Sequence, residues 1–152
     1  MAWKITNENS SKALYVLPGS SVEQRTVRQE PHELWELVPV AHRGSSRFKI
    51  RSLATGNVLT IPHGSTQQEI QVVQEAEGDN PGQVWEFDLV GIGPDIGISF
   101  IDFVFRIVSV HSQLALDVRG GSTDDHAVIQ QYRSNGTPAQ RWRLHQPSQE
   151  PG

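Results

Sequence analysis

The chain repeats itself three times, and each copy closes on a tryptophan that follows a Gln or Glu by two residues: Glu33-Leu34-Trp35, Gln83-Val84-Trp85 and Gln140-Arg141-Trp142. The copies also open alike, on Trp3-Lys4-Ile5, Phe48-Lys49-Ile50 and Phe105-Arg106-Ile107. Nine residues after each Ile stands Leu14, Leu59 or Leu116, and five residues later a Gly with small hydroxyl residues: Gly19-Ser20-Ser21, Gly64-Ser65-Thr66 and Gly121-Ser122-Thr123. From Leu to Trp is 26 residues in copies two and three and 21 in copy one. A unit that recurs in this register cannot bury its apolar face alone; three of them can share a core.

Within each copy the pattern is β. Val16, Ile61 and Val118 follow the repeat Leu at a two-residue step, which puts both side chains on one face of a strand. Thr26-Val27-Arg28-Gln29, Gln71-Val72-Val73-Gln74 and Val128-Ile129-Gln130-Gln131 read as third strands, and Gly, Pro, Ser and Asn fill the intervals as turns. No stretch holds a helical period. The expectation is an all-β domain over 1–145, with three units of about four strands around a pseudo-threefold axis (about 3–40, 46–90 and 103–145). The three tryptophans with Ile5, Leu14, Ile50, Leu59, Ile107 and Leu116 form the expected core. The Gln or Glu before each Trp is expected to tie down backbone in a neighbouring loop.

One segment breaks the repeat. Residues 91–102 are apolar and glycine-rich and have no counterpart between copies one and two. They read either as an extended β-turn packed on the barrel or as an exposed apolar hairpin making a dimer contact. The run is too short to span a membrane. Residues 146–152 are polar, carry two prolines and read as a flexible tail.

Composition excludes several function classes. A net charge of −4 with no basic run argues against a nucleic-acid partner. There is no cysteine, so neither a disulfide framework nor thiol chemistry is available. The six histidines lack metal-ligand spacing, no serine sits in a nucleophile motif, and neither a cofactor, a metal nor catalysis is expected. The N-terminus runs into the first strand without an apolar signal region, which points to a cytoplasmic protein or one released without a standard signal peptide. Two glycosylation sequons, at Asn9 and Asn135, carry no meaning without a secretory route.

The copies differ beside the repeat Leu and after the third strand. Tyr15, Thr60 and Asp117 occupy the first place; a gap-free alignment puts Glu30, Glu75 and Tyr132 at the second. Copy three alone therefore combines a carboxylate (Asp117), a ring (Tyr132) and amides (Gln130 or Gln131, and Gln140). A carboxylate accepts from adjacent hydroxyls, a flat ring covers the apolar face of a pyranose, and amides serve the remaining hydroxyls. The alternative is that Asp117 caps the turn at Gly120-Gly121 and Tyr132 is a surface strand residue. Asp124-Asp125-His126 reads as a solvated turn, with His126 able to reach the pocket rim.

With these residues the chain resembles the ricin-B-type (R-type) lectins, which are β-trefoils. The resemblance covers about residues 3–144. It is most specific over Leu114-Ala115-Leu116-Asp117-Val118-Arg119-Gly120-Gly121-Ser122-Thr123, Val128-Ile129-Gln130-Gln131-Tyr132 and Gln140-Arg141-Trp142, the family's Leu-Asp-Val-x-Gly, Gln-x-aromatic and Gln-x-Trp signature. It implies sugar binding without chemistry, most often to galactose or N-acetylgalactosamine on glycoproteins or glycolipids. It assigns Asp117 to gripping hydroxyls, Gly120 to close backbone approach, Gln130 to an amide contact, Tyr132 to stacking and Gln140 to supporting Asp117. Ala139 stands where the family often has a hydroxyl-binding Asn, and Asn135 in the same loop is the candidate substitute. Copy two, with Thr60, His63, Gln74, Asn80 and Gln83, resembles an altered second site. Copy one, with Tyr15, Glu30 and Glu33 and a loop five residues shorter between strand three and Trp35, resembles a structural copy. Lack of the family's disulfides fits its Cys-free intracellular fungal or bacterial members. A single weak site would need a homodimer to hold a cell surface. The competing reading is a protease inhibitor of the same fold, acting through Glu30-Pro31-His32 or Gly93-Pro94-Asp95.

Overall fold

The structure is a computed structural model that describes residues 1–41, 46–92 and 103–146. Among the described residues thirteen strands follow one another: β1 (Trp3–Asn7), β2 (Ala13–Val16), β3 (Val22–Arg25), β4 (Leu34–Pro39), β5 (Arg47–Ser52), β6 (Val58–Thr60), β7 (Ile70–Gln71), β8 (Val73–Glu75), β9 (Trp85–Ile92), β10 (Phe103–Ser109), β11 (Ala115–Val118), β12 (Ile129–Tyr132) and β13 (Trp142–His145). Six of them close a ring in which β1 pairs β4, β4 pairs β5, β5 pairs β9, β9 pairs β10, β10 pairs β13 and β13 returns to β1. Closure leaves a barrel without a free edge where the pairing holds. The hairpins β2–β3, β6–β8 and β11–β12 cap one end, each attached to the first barrel strand of its repeat. A six-stranded barrel capped by three hairpins around a threefold axis is a β-trefoil.

The register explains the apolar periodicity. Ile5 pairs Leu144, Ile50 pairs Leu37 and Ile107 pairs Phe87, so each repeat's opening Ile meets the apolar residue two places after a repeat Trp. The nine expected core residues are all fully buried. Burial of each such side chain contributes roughly 1.5–3 kcal/mol. The three indoles lie in the same layer and are not left with orphan donors. Trp35, Trp85 and Trp142 Nε1 donate to the carbonyls of Leu14, Leu59 and Leu116 at 3.0, 3.2 and 3.0 Å.

A second triad joins the caps to each other. Buried Gln24, Gln74 and Gln131 each follow the core Leu across a strand pair. Each amide NH2 donates to two carbonyls in the cap loop of another repeat. Gln24 reaches Ser122 and Asp124, Gln74 reaches Leu17 and Ser21, and Gln131 reaches Ser65 and Gln67, at 2.6–3.1 Å. Each amide oxygen accepts from a hydroxyl of its own repeat, Ser10, Thr55 or Ser112, at 2.8–2.9 Å. The caps are thus locked head to tail around the axis.

This register corrects the alignment of copy one. Its third strand is Val22–Arg25, not Thr26–Gln29, and the partners of Ala13, Val58 and Ala115 are Arg25, Glu75 and Tyr132. Arg25 therefore stands at the place of Tyr132, and Glu30 does not. From each of these residues to the repeat Trp is ten residues in every copy, so the five-residue deletion lies in the β2–β3 loop and not before Trp35. The physical reason is that Gln24 must sit opposite Leu14 to reach the next cap; shifting the strand to Thr26–Gln29 would break that clamp. In copies two and three the third strands lie within a residue or two of expectation. Residues 93–102 of the insertion and 147–152 of the tail lie outside the described residues; β9 and β10 pair antiparallel up to Ile92 and Phe103 on the insertion's two sides.

Gln131→Leu keeps the side-chain volume close but strips three partners of their hydrogen bonds. It is expected to lower the unfolding free energy by about 1–3 kcal/mol. Chemical denaturation of Gln24→Leu, Gln74→Leu and Gln131→Leu should give losses of similar size. A negligible loss in all three would refute the clamp.

Candidate functional site

In β11, alternation sends Leu116 and Val118 to the core and turns Asp117 to the other face. In β12, the same alternation sends Gln131 to the cap clamp and leaves Gln130 and Tyr132 on the face of Asp117. The strand register resolves which of the two adjacent glutamines belongs to the site. Gln130 lies directly opposite Asp117, and its Nε2 donates to Asp117 Oδ2 at 2.9 Å. Arg119 fixes that amide the right way round: Arg119 Nε donates to Gln130 Oε1 at 2.7 Å, while its Nη2 donates to the Glu69 carbonyl at 3.0 Å.

Gln140 lies beneath, almost fully buried. Its Oε1 accepts from the Asn135 backbone N–H at 3.0 Å and its Nε2 donates to the Arg133 carbonyl at 2.8 Å. Gln83 binds Gly78 and Ala76 in the same way. Glu33, which has no donor, accepts from the backbone N–H groups of Arg28 and Glu30 instead. The residue two before each Trp therefore ties its loop, as expected from its chemistry.

Burial pushes the Asp117 carboxyl above its ordinary pKa, and hydrogen bonds from the Gln130 and Gln140 amides oppose that rise. The N-cap of the following Arg119–Gly121 turn is Val118, and the Asp117 carboxyl is engaged by Gln130 across the strand pair. Within that turn Gly120 has φ +66°, a conformation costly for most side chains, and a Cβ added there would meet nothing within 4 Å.

Asp117, Gly120, Gln130, Tyr132 and Asn135 line one cavity of about 590 Å³. Asn135 Oδ1 accepts from the backbone N–H and hydroxyl of Thr137 at 3.1 and 2.7 Å, which leaves its NH2 as the group to offer. His126 is not in this cavity. Its Nδ1 is hydrogen-bonded to Glu23 Oε2 and its backbone N–H to the Gln24 carbonyl, so it belongs to the joint between repeats three and one. The sequence reading missed Asn9, Glu69 and Arg119, which also line the cavity. Asn9 and Glu69 come from repeats one and two, and comparison of copies looks only within a repeat.

The two other copies are closed, each in its own way. In repeat two, Thr60 is fully buried and its hydroxyl donates to the Val58 carbonyl and accepts from Gln83. Asn80 Oδ1 is used on the Gly82 N–H at 2.7 Å. Gln74 is the cap clamp and faces away. His63, with φ +58°, takes the position of Gly120 and is exposed. The two turns that flank the cavity in repeat three touch here: Ile61 N–H donates to the Gly82 carbonyl at 2.9 Å, and a Cβ on Gly82 would lie 2.3 Å from Ile61 O. Ala139 replaces Gly82 in repeat three. Its methyl group forbids that approach, and its carbonyl accepts from Asn7 Nδ2 at 2.9 Å instead. Of the five residues suggested for an altered second site, Thr60, Gln74 and Gln83 are buried and bonded within the protein.

In repeat one, Tyr15 stands in the place of Asp117 and fills its own pocket. Its ring stacks on His32 at 5.6 Å and 24°, Arg25 lies 4.6 Å from the ring centroid, and its hydroxyl donates to Glu30 at 2.6 Å. That bond, with burial, raises the Tyr15 pKa. In the Glu30-Pro31-His32 loop the Glu30 and His32 side chains are thus engaged by Tyr15, Pro31 is exposed, and Glu33 is buried. The other loop considered for inhibition, Gly93-Pro94-Asp95, lies outside the described residues. Among the described residues no three His, Cys, Asp or Glu side chains gather in a way that could hold a metal ion.

Comparison with known proteins bears on this geometry. No curated protein sequence matches the chain. Among solved structures, a designed threefold symmetric protein, ThreeFoil, superposes with a TM-score of 0.80 at 28% identity, covering 94% of this chain and 96% of that one. An exo-β-1,3-galactanase from Clostridium thermocellum gives 0.78 at 30% identity over 94% of this chain, which spans only 29% of the enzyme. The Macrolepiota procera ricin B-like lectin, solved with lactose, gives 0.71 at 19% identity, with coverage of 97% and 96%. The family model for ricin-type beta-trefoil lectin domain-like proteins matches residues 31–100 and 99–150, well over half of the sequence, and the chain belongs to that family.

Proposed function

We propose that the protein is a non-catalytic lectin whose main carbohydrate site is the cavity of the third repeat. The observation that carries this reading is the convergence of a buried carboxyl, a ring and oriented amides in one open cavity, at a place where the other two repeats are shut. Asp117 is held by two amide donors, which fixes an acceptor for paired hydroxyls rather than freeing a nucleophile. Tyr132 offers a face to the apolar side of a pyranose. Family membership supports carbohydrate as the ligand class. A glycan ending in galactose or N-acetylgalactosamine is the favoured ligand. The Macrolepiota lectin was solved with lactose, which carries a terminal galactose, and the Clostridium enzyme is a galactanase; both support this preference.

One such site gives a Kd on the order of millimolar, about 4 kcal/mol. Holding a cell surface would then call for a second copy, so we place a homodimer beside this reading; light scattering during glycan titration is its check.

Asp117→Asn separates function from folding. The raised pKa means that the folded state favours the neutral carboxyl, so Asp117 adds stability only when protonated. That contribution is present below the unfolded pKa and is lost as pH rises through the folded one. At neutral pH the Asn variant should therefore melt at the same temperature or higher, while galactoside affinity falls roughly tenfold or more. Glycan-array and calorimetric binding that matched the parent would remove Asp117 from the site.

The same shift sets the pH dependence of binding. On acidification, affinity should fall at a pH above about 3.9, where an ordinary exposed Asp would titrate. Calorimetry from neutral to acid pH reads this directly, and binding that stayed flat to the ordinary Asp range would contradict it.

A further inference from the structure

The cavity of the third repeat is not made by the third repeat alone. Glu69 belongs to the cap loop of repeat two, Asn9 to the β1–β2 turn of repeat one, and both line it. Both are exposed, and both are held by hydrogen bonds. The Glu69 loop is held by Gln131 Nε2 on the Ser65 and Gln67 carbonyls, by the Glu69 N–H on the Gln131 carbonyl at 2.9 Å, and by Arg119 on the Glu69 carbonyl. Glu69 itself sits at φ +65°, a left-handed conformation uncommon for a Glu. Asn9 is fixed by its N–H on Asn7 Oδ1 at 3.1 Å and its Nδ2 on the Gly121 carbonyl at 3.0 Å.

The Glu69 carboxylate has no protein partner among the described residues, although its backbone is pinned on both sides. It is an exposed acceptor in the lining of the cavity, on a loop whose backbone is held. Asp117 and Tyr132 account for one ring. A cavity of about 590 Å³ falls within the range of about 300–1,000 Å³ that holds drug-sized ligands, and is roomy for a single ring. Repeat two has no equivalent wall, because the loop that would supply it is the shortened one of repeat one.

We infer that the site has a second subsite, walled by Glu69 and Asn9 from the neighbouring repeats, and that its ligand is a disaccharide or longer glycan. The first ring is held by Asp117 and Tyr132, and a neutral, hydroxyl-bearing second ring meets Glu69. This rests on the carbohydrate reading above. Because both walls are preorganised, the second ring adds contacts without the cost of ordering a loop.

The test is a ratio of affinities. Methyl β-galactoside and a panel of galactose-terminated disaccharides, lactose among them, are titrated against the full chain by calorimetry. At least one disaccharide is expected to bind roughly tenfold more tightly than the monosaccharide, and Glu69→Ala or Asn9→Ala should bring that ratio close to one. The ratio is the readout because partial unfolding lowers both affinities alike. Galactoside binding without any disaccharide gain, or a gain that survives both substitutions, overturns the second subsite and leaves the lectin reading standing. Binding of no sugar at all overturns both.

Discussion

Three buried indole N–H groups hold the molecule's two layers together. Each tryptophan stands on a barrel strand and donates to the carbonyl of a Leu on a cap strand, so the same side chain fills the core and fastens the cap above it. An indole buried without that bond would carry an orphan donor, and a Leu carbonyl without it an orphan acceptor, at about 1–3 kcal/mol each. The glutamine clamps then act around the axis where the tryptophans act along it. The barrel supplies closure, the tryptophans tie cap to barrel, and the glutamines tie cap to cap. Two of the cavity walls hang on this lattice. The Glu69 loop is held by Gln131, and the loop that follows Gly120 and Gly121 is held at Ser122 and Asp124 by Gln24.

Because the scaffold is threefold, departures from symmetry carry the information about function. A pair of turns faces each other in repeats two and three, and the residue at position 82 or 139 bears on how closely they meet. Gly82 lets repeat two close against Ile61; Ala139 holds repeat three apart. Repeat one reaches a closed state by another route, filling the place of the carboxylate with a phenol that finds partners in Glu30, Arg25 and His32. The Ala that departs from the family pattern at residue 139 thus has a steric consequence besides the loss of an amide.

Much of this was legible in the chain. The core residues, the β class, the threefold repeat and the pairing of Asp117 with Tyr132 follow from spacing and chemistry, because strand alternation converts sequence distance into a face; the trefoil and the choice of Gln130 and Asn135 came with the family resemblance. Two things were not legible. The deletion in copy one was misplaced, since Thr26-Val27-Arg28-Gln29 has better strand propensity than Val22-Glu23-Gln24-Arg25. The true strand is selected by a tertiary bond, that of Gln24 to the next cap, which no local window contains. Asn9 and Glu69 were missed for a related reason. A comparison of copies finds what each repeat brings to its own pocket and is blind to what the neighbours lend it. His126 illustrates the converse: near Asp117 in sequence, it is carried by its loop across to Glu23.

The energetic asymmetry among the copies is consistent with this division of labour. Thr60 and Tyr15 satisfy their polar atoms within the protein and ask nothing of a ligand. Asp117 is instead a carboxyl placed where burial disfavours its charge, supported by amides that only partly offset the desolvation. A position that works against local stability in one copy, when two neighbouring copies show stable replacements on the same scaffold, is hard to explain by folding. Sites that violate the rules of a well-packed interior are expected where binding demands it, and here the violation coincides with the repeat whose cavity is open. The fold tolerates it because the tryptophan and glutamine triads do not involve residue 117, so the cap keeps its fastenings whichever side chain stands there.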